Sequence, residues 1–95
     1  MTASELRAAV KESGSHFFDR KTMQLFRSKI HNVYDGADGV FFVTSESQDD
    51  EPRRYTVRQW DEEGARVHTV GEFRGYRHRE DAATAARRMA GRRKR

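Results

Sequence analysis

The sequence contains no cysteine, a single proline and no long apolar run. Without cysteine there is no disulfide framework and no thiolate chemistry, which fits a reducing cytoplasm. No apolar run approaches the roughly 20 residues that a membrane-spanning helix needs. The first residues also lack a basic segment followed by an apolar one, so no signal peptide is expected. We therefore expect a soluble cytoplasmic protein that has no membrane partner.

Motifs of the common enzyme and metal-binding classes are missing too. The four histidines, at positions 16, 31, 68 and 78, form no pair at metal-ligand spacing. The sequence has no phosphate-binding glycine loop and no GxSxG nucleophile motif. The acidic runs 49–51 and 61–63 fall in predicted turns, and turns do not hold carboxylates in the two different environments that acid–base catalysis needs. We expect a protein that is not an enzyme and that binds no cofactor or metal.

Charge is distributed unevenly along the chain. Residues 1–52 contain 6 basic and 9 acidic side chains, whereas residues 53–95 contain 13 basic and 6 acidic ones. Much of the basic excess lies in residues 77–95. A positive surface of this kind attracts polyanions, of which nucleic acid is the commonest. The charge pattern therefore favours DNA or RNA as a partner.

The candidate nucleic-acid-binding residues are the basic residues before, within and after the C-terminal helix: Arg77, Arg79, Arg87, Arg88, Arg92, Arg93, Lys94 and Arg95. Together they are expected to form one electropositive end. If this end engaged about five phosphates, affinity would fall with salt with a log–log slope of about −4 to −5. Two simpler interpretations stay open: Arg87 and Arg88 complement the helix dipole, and residues 92–95 form a solvated tail.

The N-terminal part of the sequence predicts two short helices. Thr2 and Glu5 have the spacing of a capping box, which predicts a helix over about residues 3–12. Its apolar face is narrow, so it should be marginal unless it docks on the rest of the protein. Asp19 has the character of an N-cap and predicts one or two further helical turns over about 19–27.

The middle of the chain has the pattern of four strands. Residues 29–34 and 40–44 flank a glycine- and aspartate-rich turn, and 40–44 is apolar on both faces, which predicts a central strand. Residues 55–60 and 66–73 follow, and Phe73 is expected on the buried side of the last strand. The short connections between consecutive strands predict an antiparallel meander.

The C-terminal helix has the clearest pattern. Glu80 and Asp81 occupy its first turn, two arginines its last turn, and Gly91 a C-cap position. Its small residues recur at helical spacing: Ala82, Ala85, Ala86, Met89 and Ala90. Small side chains let a helix approach a sheet of bulky aromatics. We predict an α+β domain over residues 1–91, with an antiparallel sheet of about four strands, a C-terminal helix packed on one face and short N-terminal helices; residues 92–95 form a basic tail.

Four segments give the chain a family resemblance: Ser15–Met23, Phe41–Glu46, Tyr55–Arg58 and Thr69–Tyr76. The region that contains them, about residues 15–83, resembles a family of small uncharacterised proteins of actinobacterial phages and mobile elements. The resemblance implies a phage or prophage protein in the cytoplasm of a bacterial host. Small phage proteins without catalytic motifs often bind nucleic acid or a host protein.

Three classes of function follow from the sequence. The first is a non-enzymatic phage protein that binds DNA or RNA through the basic C-terminal helix end and tail. The second is a modulator that docks on a host protein through a strand edge or an aromatic patch. The third, an enzyme, would require His16, His31 or His68 to converge with carboxylates in one pocket.

Overall fold

The structure, a computed structural model, describes residues 1–25, 27–37, 39–47 and 51–91. Two helices, four strands and a third helix follow one another: α1 (Ala3–Glu12), α2 (Arg20–Leu25), β1 (Lys29–Gly36), β2 (Gly39–Glu46), β3 (Arg54–Asp61), β4 (Arg66–Val70) and α3 (Arg79–Gly91). The strands form one antiparallel sheet in the order β1-β2-β3-β4. The predicted α+β meander is confirmed. The predicted tail, residues 92–95, lies outside the described residues.

Strand β2 is central, as its apolar sequence predicts, and it packs on both faces of the sheet. Phe42 belongs to one buried cluster, with Trp60 of β3. Phe41 and Val43 belong to a second cluster on the opposite face. Because successive side chains of a strand point to opposite faces, one apolar run supplies the core on both sides.

Helix α1 and the segment after it cover the first of these faces. The Thr2 hydroxyl accepts a hydrogen bond from the Glu5 amide at 3.2 Å, and the Glu5 carboxylate accepts one from the Thr2 amide at 2.9 Å, so the predicted capping box is present. Leu6 and Val10 lie one turn apart and are fully buried. The helix is therefore docked, and burial of its apolar face stabilises it beyond its own propensity.

Helix α3 covers the second face. Ala82 and Ala86 are fully buried in the cluster that contains Phe41, Val43 and Val57. The small side chains allow close approach: a Cβ atom added to Gly36 would lie 2.8 Å from the Cα of Ala90. The predicted pairing of an alanine face with a bulky sheet is confirmed, and the sheet lies between helices on both sides.

Two expectations about the C-terminal third are wrong. The fourth strand ends at Val70 rather than at residue 73, because Gly71 adopts a left-handed φ of 78° and the chain turns there. Phe73 consequently leaves the strand alternation and is 48% exposed instead of buried. The described residues end at Gly91, the last described residue of α3, so its C-cap position stays a prediction.

Candidate nucleic-acid interface

An ion pair between Arg58 and Glu46 lies on the face of the sheet that α1 covers. Residues directly opposite each other in antiparallel strands share a face, so Arg58 lies beside Phe42 and Thr69. Its Nη2 atom is 3.1 Å from Glu46 Oε1, and both side chains are nearly buried. Buried charges are tolerated when they are paired and hydrogen-bonded.

Threonine hydroxyls complete the hydrogen bonding of this pair. Thr44 accepts from Arg58 Nε at 3.1 Å and donates to Glu46 Oε1 at 3.0 Å. Thr56 donates to Glu46 Oε2 at 3.3 Å, and Thr69 accepts from Arg58 Nη1. The network fixes the orientation of both charged groups across three strands.

Two phenylalanine rings flank the Arg58 guanidinium. Its Cζ atom lies 5.2 Å from the ring centroid of Phe17 and 5.2 Å from that of Phe73, within the range of cation–π attraction. These residues border a cavity of about 250 Å³, which we call the aromatic cavity; it is lined by Phe17, Thr22, Met23, Ser28, Glu46, Arg58 and Phe73.

The turn after α2 brings a further arginine to the surface. Ser28 N–H donates to the carbonyl of Met23 at 2.8 Å, and Arg27 N–H donates to that of Gln24 at 3.2 Å, the pattern of a Schellman motif. Arg27 holds the left-handed position of this motif, with a φ of 47°. Glycine is the usual residue there, so the chain keeps an arginine where its backbone is strained.

A second, larger depression of about 690 Å³ lies between α1, α2 and the start of β1, and we call it the basic groove. Six of its lining residues are cationic: Arg7, Lys11, Arg20, Arg27, Lys29 and Arg53. Five of the six basic residues in the acidic first half of the sequence therefore line one surface. Arg7 and Lys11 are one helical turn apart, which places both on the same side of α1.

Among the described residues, no carboxylate pairs with the cations of the groove. Asp19 lines the groove, and its carboxylate contacts His16 Nδ1 at 2.7 Å. Arg53 donates to the backbone carbonyl of Arg27 at 2.8 Å and to the hydroxyl of Ser45 at 2.9 Å. These neutral partners position the guanidinium without compensating its charge.

The positive field extends from the groove to the start of α3. Desolvation lowers the pKa of His31, and the nearby charges of Arg79, Arg53 and Lys29 lower it further, against an opposing effect of Glu46. His31 Nε2 lies 2.7 Å from the Ser45 hydroxyl that Arg53 also contacts. One of the predicted site residues, Arg79, thus belongs to the same electrostatic environment as the groove.

The structure does not gather the four described C-terminal candidates at one end. Arg77 and Arg79 lie just before and at the start of α3, whereas Arg87 and Arg88 lie near its end. Eight residues of helix span about 12 Å. Arg79 Nε donates to Asn32 Oδ1 at 3.1 Å, which ties it to β1. The four tail candidates, Arg92, Arg93, Lys94 and Arg95, lie outside the described residues.

The histidines of the enzyme hypothesis lie on separate elements. His16 precedes α2 and pairs with Asp19, while His31 is on β1 and His68 is on β4, the two opposite edges of the sheet. His68 Nε2 lies 3.5 Å from Asp61. Throughout the part of the chain that the structure describes, no three His, Asp or Glu side chains come together as a metal site would require. The absence of an activity stays a prediction.

The sequence interpretation missed the groove, since its cations are spread over 47 positions and meet only through the fold. Among the residues of the two depressions, the sequence pattern could have placed only Arg58. It stands two residues before Trp60 in the alternation of β3, so a buried Trp60 places Arg58 on the same face.

The fold and the groove define a class: a small α+β protein with helices on both faces of an antiparallel meander and a basic groove. The chain belongs to a family of unknown function, DUF7447, which matches residues 2–87. The match includes α1 and most of α3 and ends before Arg88. Comparison with the curated proteins and with the solved structures found no match to the chain. The phage origin implied by the resemblance stays a prediction.

Among the described residues, no helix is both long enough and apolar enough to cross a membrane.

Proposed function

We propose that this protein binds nucleic acid and that the basic groove is its main phosphate-contacting surface. The observation that carries the proposal is the convergence of six cations on one groove, none of them paired with a carboxylate of the described residues. Guanidinium and ammonium groups arranged in this way attract a phosphate backbone and release its counterions. The activity is binding rather than catalysis.

The C-terminal candidates enter the proposal as a second contact region. Arg79, Arg53 and Lys29 all act electrostatically on His31. The charge of Arg79 would therefore also attract a nucleic-acid strand that lies in the groove. Arg87 and Arg88 are exposed on α3, on the opposite face of the sheet from the groove. These two arginines would reach only a longer polyanion that wraps around the protein.

The test is fluorescence anisotropy of a labelled single strand and a labelled duplex at several salt concentrations. We expect the full chain to bind with a log–log salt slope of about −4 to −5, since each contacted phosphate contributes about 0.7–0.9. The double variant R20A/K29A should lose affinity, and its slope should become shallower by about 1.5.

A matched control removes two exposed cations that do not line the groove, in the variant K21A/R66A. It should keep nearly the full affinity and slope. Equal losses in the two double variants would mean that net charge rather than the groove controls binding. No binding of either probe at low salt would refute the proposed function.

A second candidate is binding of a host protein, and the exposed Phe73 beside β4 favours it. Strand β4 is an edge of the sheet and pairs on one side with β3. Another chain could add by β-augmentation to its other side, which no described strand pairs with, with Phe73 as an apolar anchor. Such a complex would be nearly insensitive to salt, which separates it from phosphate binding.

A further inference from the structure

The aromatic cavity adjoins the basic groove, because Met23 and Ser28 line both. A chain of phosphates in the groove would therefore pass the mouth of the cavity. The two depressions differ in chemistry: the groove is cationic and open, whereas the cavity is bordered by phenylalanine rings. This combination matches the two parts of a nucleotide, a charged phosphate and a flat aromatic base.

The walls of the cavity suit a base. Phe73 is a large aromatic side chain that is 48% exposed, and Phe17 borders the cavity together with it. Exposed aromatic rings beside a cationic groove are the usual platform on which unpaired bases stack. The cavity of about 250 Å³ is smaller than the roughly 300–1,000 Å³ of sites for drug-sized ligands. It would take one base and not a base pair.

The floor of the cavity offers hydrogen-bonding groups that are already oriented. Arg58 presents a donor group and Glu46 an acceptor group, and the threonine network holds both in place. Among the described contacts Glu46 Oε2 accepts one hydrogen bond, from Thr56, and a carboxylate oxygen has capacity for a second. In a duplex the Watson–Crick edge of the base is already paired, so only an unpaired base can present that edge to such a floor.

We infer that the protein is specific for single-stranded nucleic acid and that one unstacked base enters the aromatic cavity while the flanking phosphates lie in the basic groove. This inference rests on the proposed function and names its substrate class. Phe73 supplies the stacking surface, and Arg58 and Glu46 face the edge of the base.

The experiment compares three labelled probes on the full chain: an oligothymidylate, a strand of the same length whose sugars carry no bases, and a duplex of the same length. The oligothymidylate should bind about tenfold more tightly than the base-free strand, as stacking of one base on an aromatic side chain implies. Replacing Phe73 by alanine should abolish this difference and leave binding of the base-free strand unchanged. Because Phe73 is exposed, the F73A variant is expected to fold.

The F73Y variant is the control, because it keeps an aromatic ring at this position and should keep the tenfold preference. A second variant, T22F, enlarges a side chain that lines the cavity and should also abolish the preference, with thermal unfolding confirming that it is folded. If all three probes bind equally and F73A changes nothing, the base pocket is refuted while the phosphate groove stands. If no probe binds at low salt, both proposals fail.

Discussion

Arg58 and Glu46 show how two charged side chains can be part of an interior. Their attraction at 3.1 Å offsets a desolvation cost because three threonines supply further hydrogen bonds to the two charged groups. Hydrophobic residues could stabilise the same region without that cost. The pair is therefore better explained by the polar floor that it gives the aromatic cavity than by a gain in stability.

Removing one partner of this pair should be more damaging than removing both. The variant E46Q leaves the Arg58 charge buried without its counter-ion, and we expect a loss of about 3 kcal/mol in the free energy of unfolding. The double variant E46M/R58M should lose less, since no buried charge remains. Urea denaturation measures the free energy of unfolding of both variants. A cost below about 1 kcal/mol for E46Q would contradict the structural account of this pair.

Arg27 should trade stability against binding. In the left-handed position at the end of α2, glycine avoids a steric cost of about 1 kcal/mol that arginine bears. The variant R27G should therefore unfold at higher denaturant concentration while it binds nucleic acid more weakly. The variant R27A is its matched control, because it removes the same cation and keeps the strained Cβ. A lower stability of R27G than of the unchanged protein would contradict backbone strain at Arg27.

At the scale of elements, the sequence predicts whatever depends on local pattern. The capping box begins α1, and the alanine spacing of α3 selects the face that packs on the sheet. The doubly apolar run of β2 identifies the central strand. In each case the residues that determine the structure lie close together in the sequence, so a short segment is enough to predict the element.

The end of β4 shows where local pattern fails. Alternation from Val67 to Phe73 reads as a continuous strand, yet the left-handed Gly71 turns the chain after Val70. Whether a glycine turns the chain or stays within a strand depends on which residues the following segment pairs with. Here Tyr76 returns to pair with Tyr55, and its amide and carbonyl both bond to Tyr55. The loop between them leaves Phe73 exposed.

The contact between α3 and β1 should be sensitive to a single methyl group. A side chain at Gly36 would lie 2.8 Å from both the Cα and the carbonyl oxygen of Ala90, so G36A must push the helix away. We expect a loss of about 1–3 kcal/mol in the free energy of unfolding, as overpacking of a core produces.

The variant G91A serves as the control for G36A. A Cβ at Gly91 would meet no atom within 4 Å, and alanine is the better helix former. Its free energy of unfolding should rise by up to about 1 kcal/mol. Equal effects of the two substitutions would argue against the close packing of α3 on β1.

For the whole molecule, charge along the sequence is a poor guide to charge in space. The first half of the chain has a net negative charge, yet it contributes Arg7, Lys11, Arg20, Arg27 and Lys29 to the basic groove. The C-terminal half is strongly basic, but its described candidates are divided between the two ends of α3. The groove could not be predicted because its residues belong to separate elements that only the packing of α1 and α2 on the sheet brings together.

His31 should make stability depend on pH. Burial and the charges of Arg79, Arg53 and Lys29 hold its pKa below its ordinary value of about 6.5. The folded protein therefore binds this proton less readily than the unfolded chain does, and the free energy of unfolding falls as the pH drops from about 6.5 through the lowered pKa. Urea denaturation above and below this range should show the loss. The variant H31Q should show less of it, and an equal dependence in H31Q would rule out this assignment.

The pKa of His31 should also change when a polyanion binds. Phosphates in the basic groove would offset the charges of Arg53 and Lys29 that disfavour protonation of His31. An NMR titration of its imidazole should therefore give a higher pKa with oligothymidylate present than without it. An unchanged pKa under saturating ligand would place the polyanion away from the groove.

The central claim is that nucleic acid binds in the basic groove, and amide NMR tests it most directly. In a titration of the full chain with a short oligothymidylate, the largest shift changes should fall at Arg7, Lys11, Arg20, Lys29 and Arg53. At the same oligothymidylate concentration they should be smaller in R20A/K29A and unchanged in K21A/R66A. Changes confined to α3, with the groove residues unmoved, would contradict the claim and return the interface to the C-terminal helix.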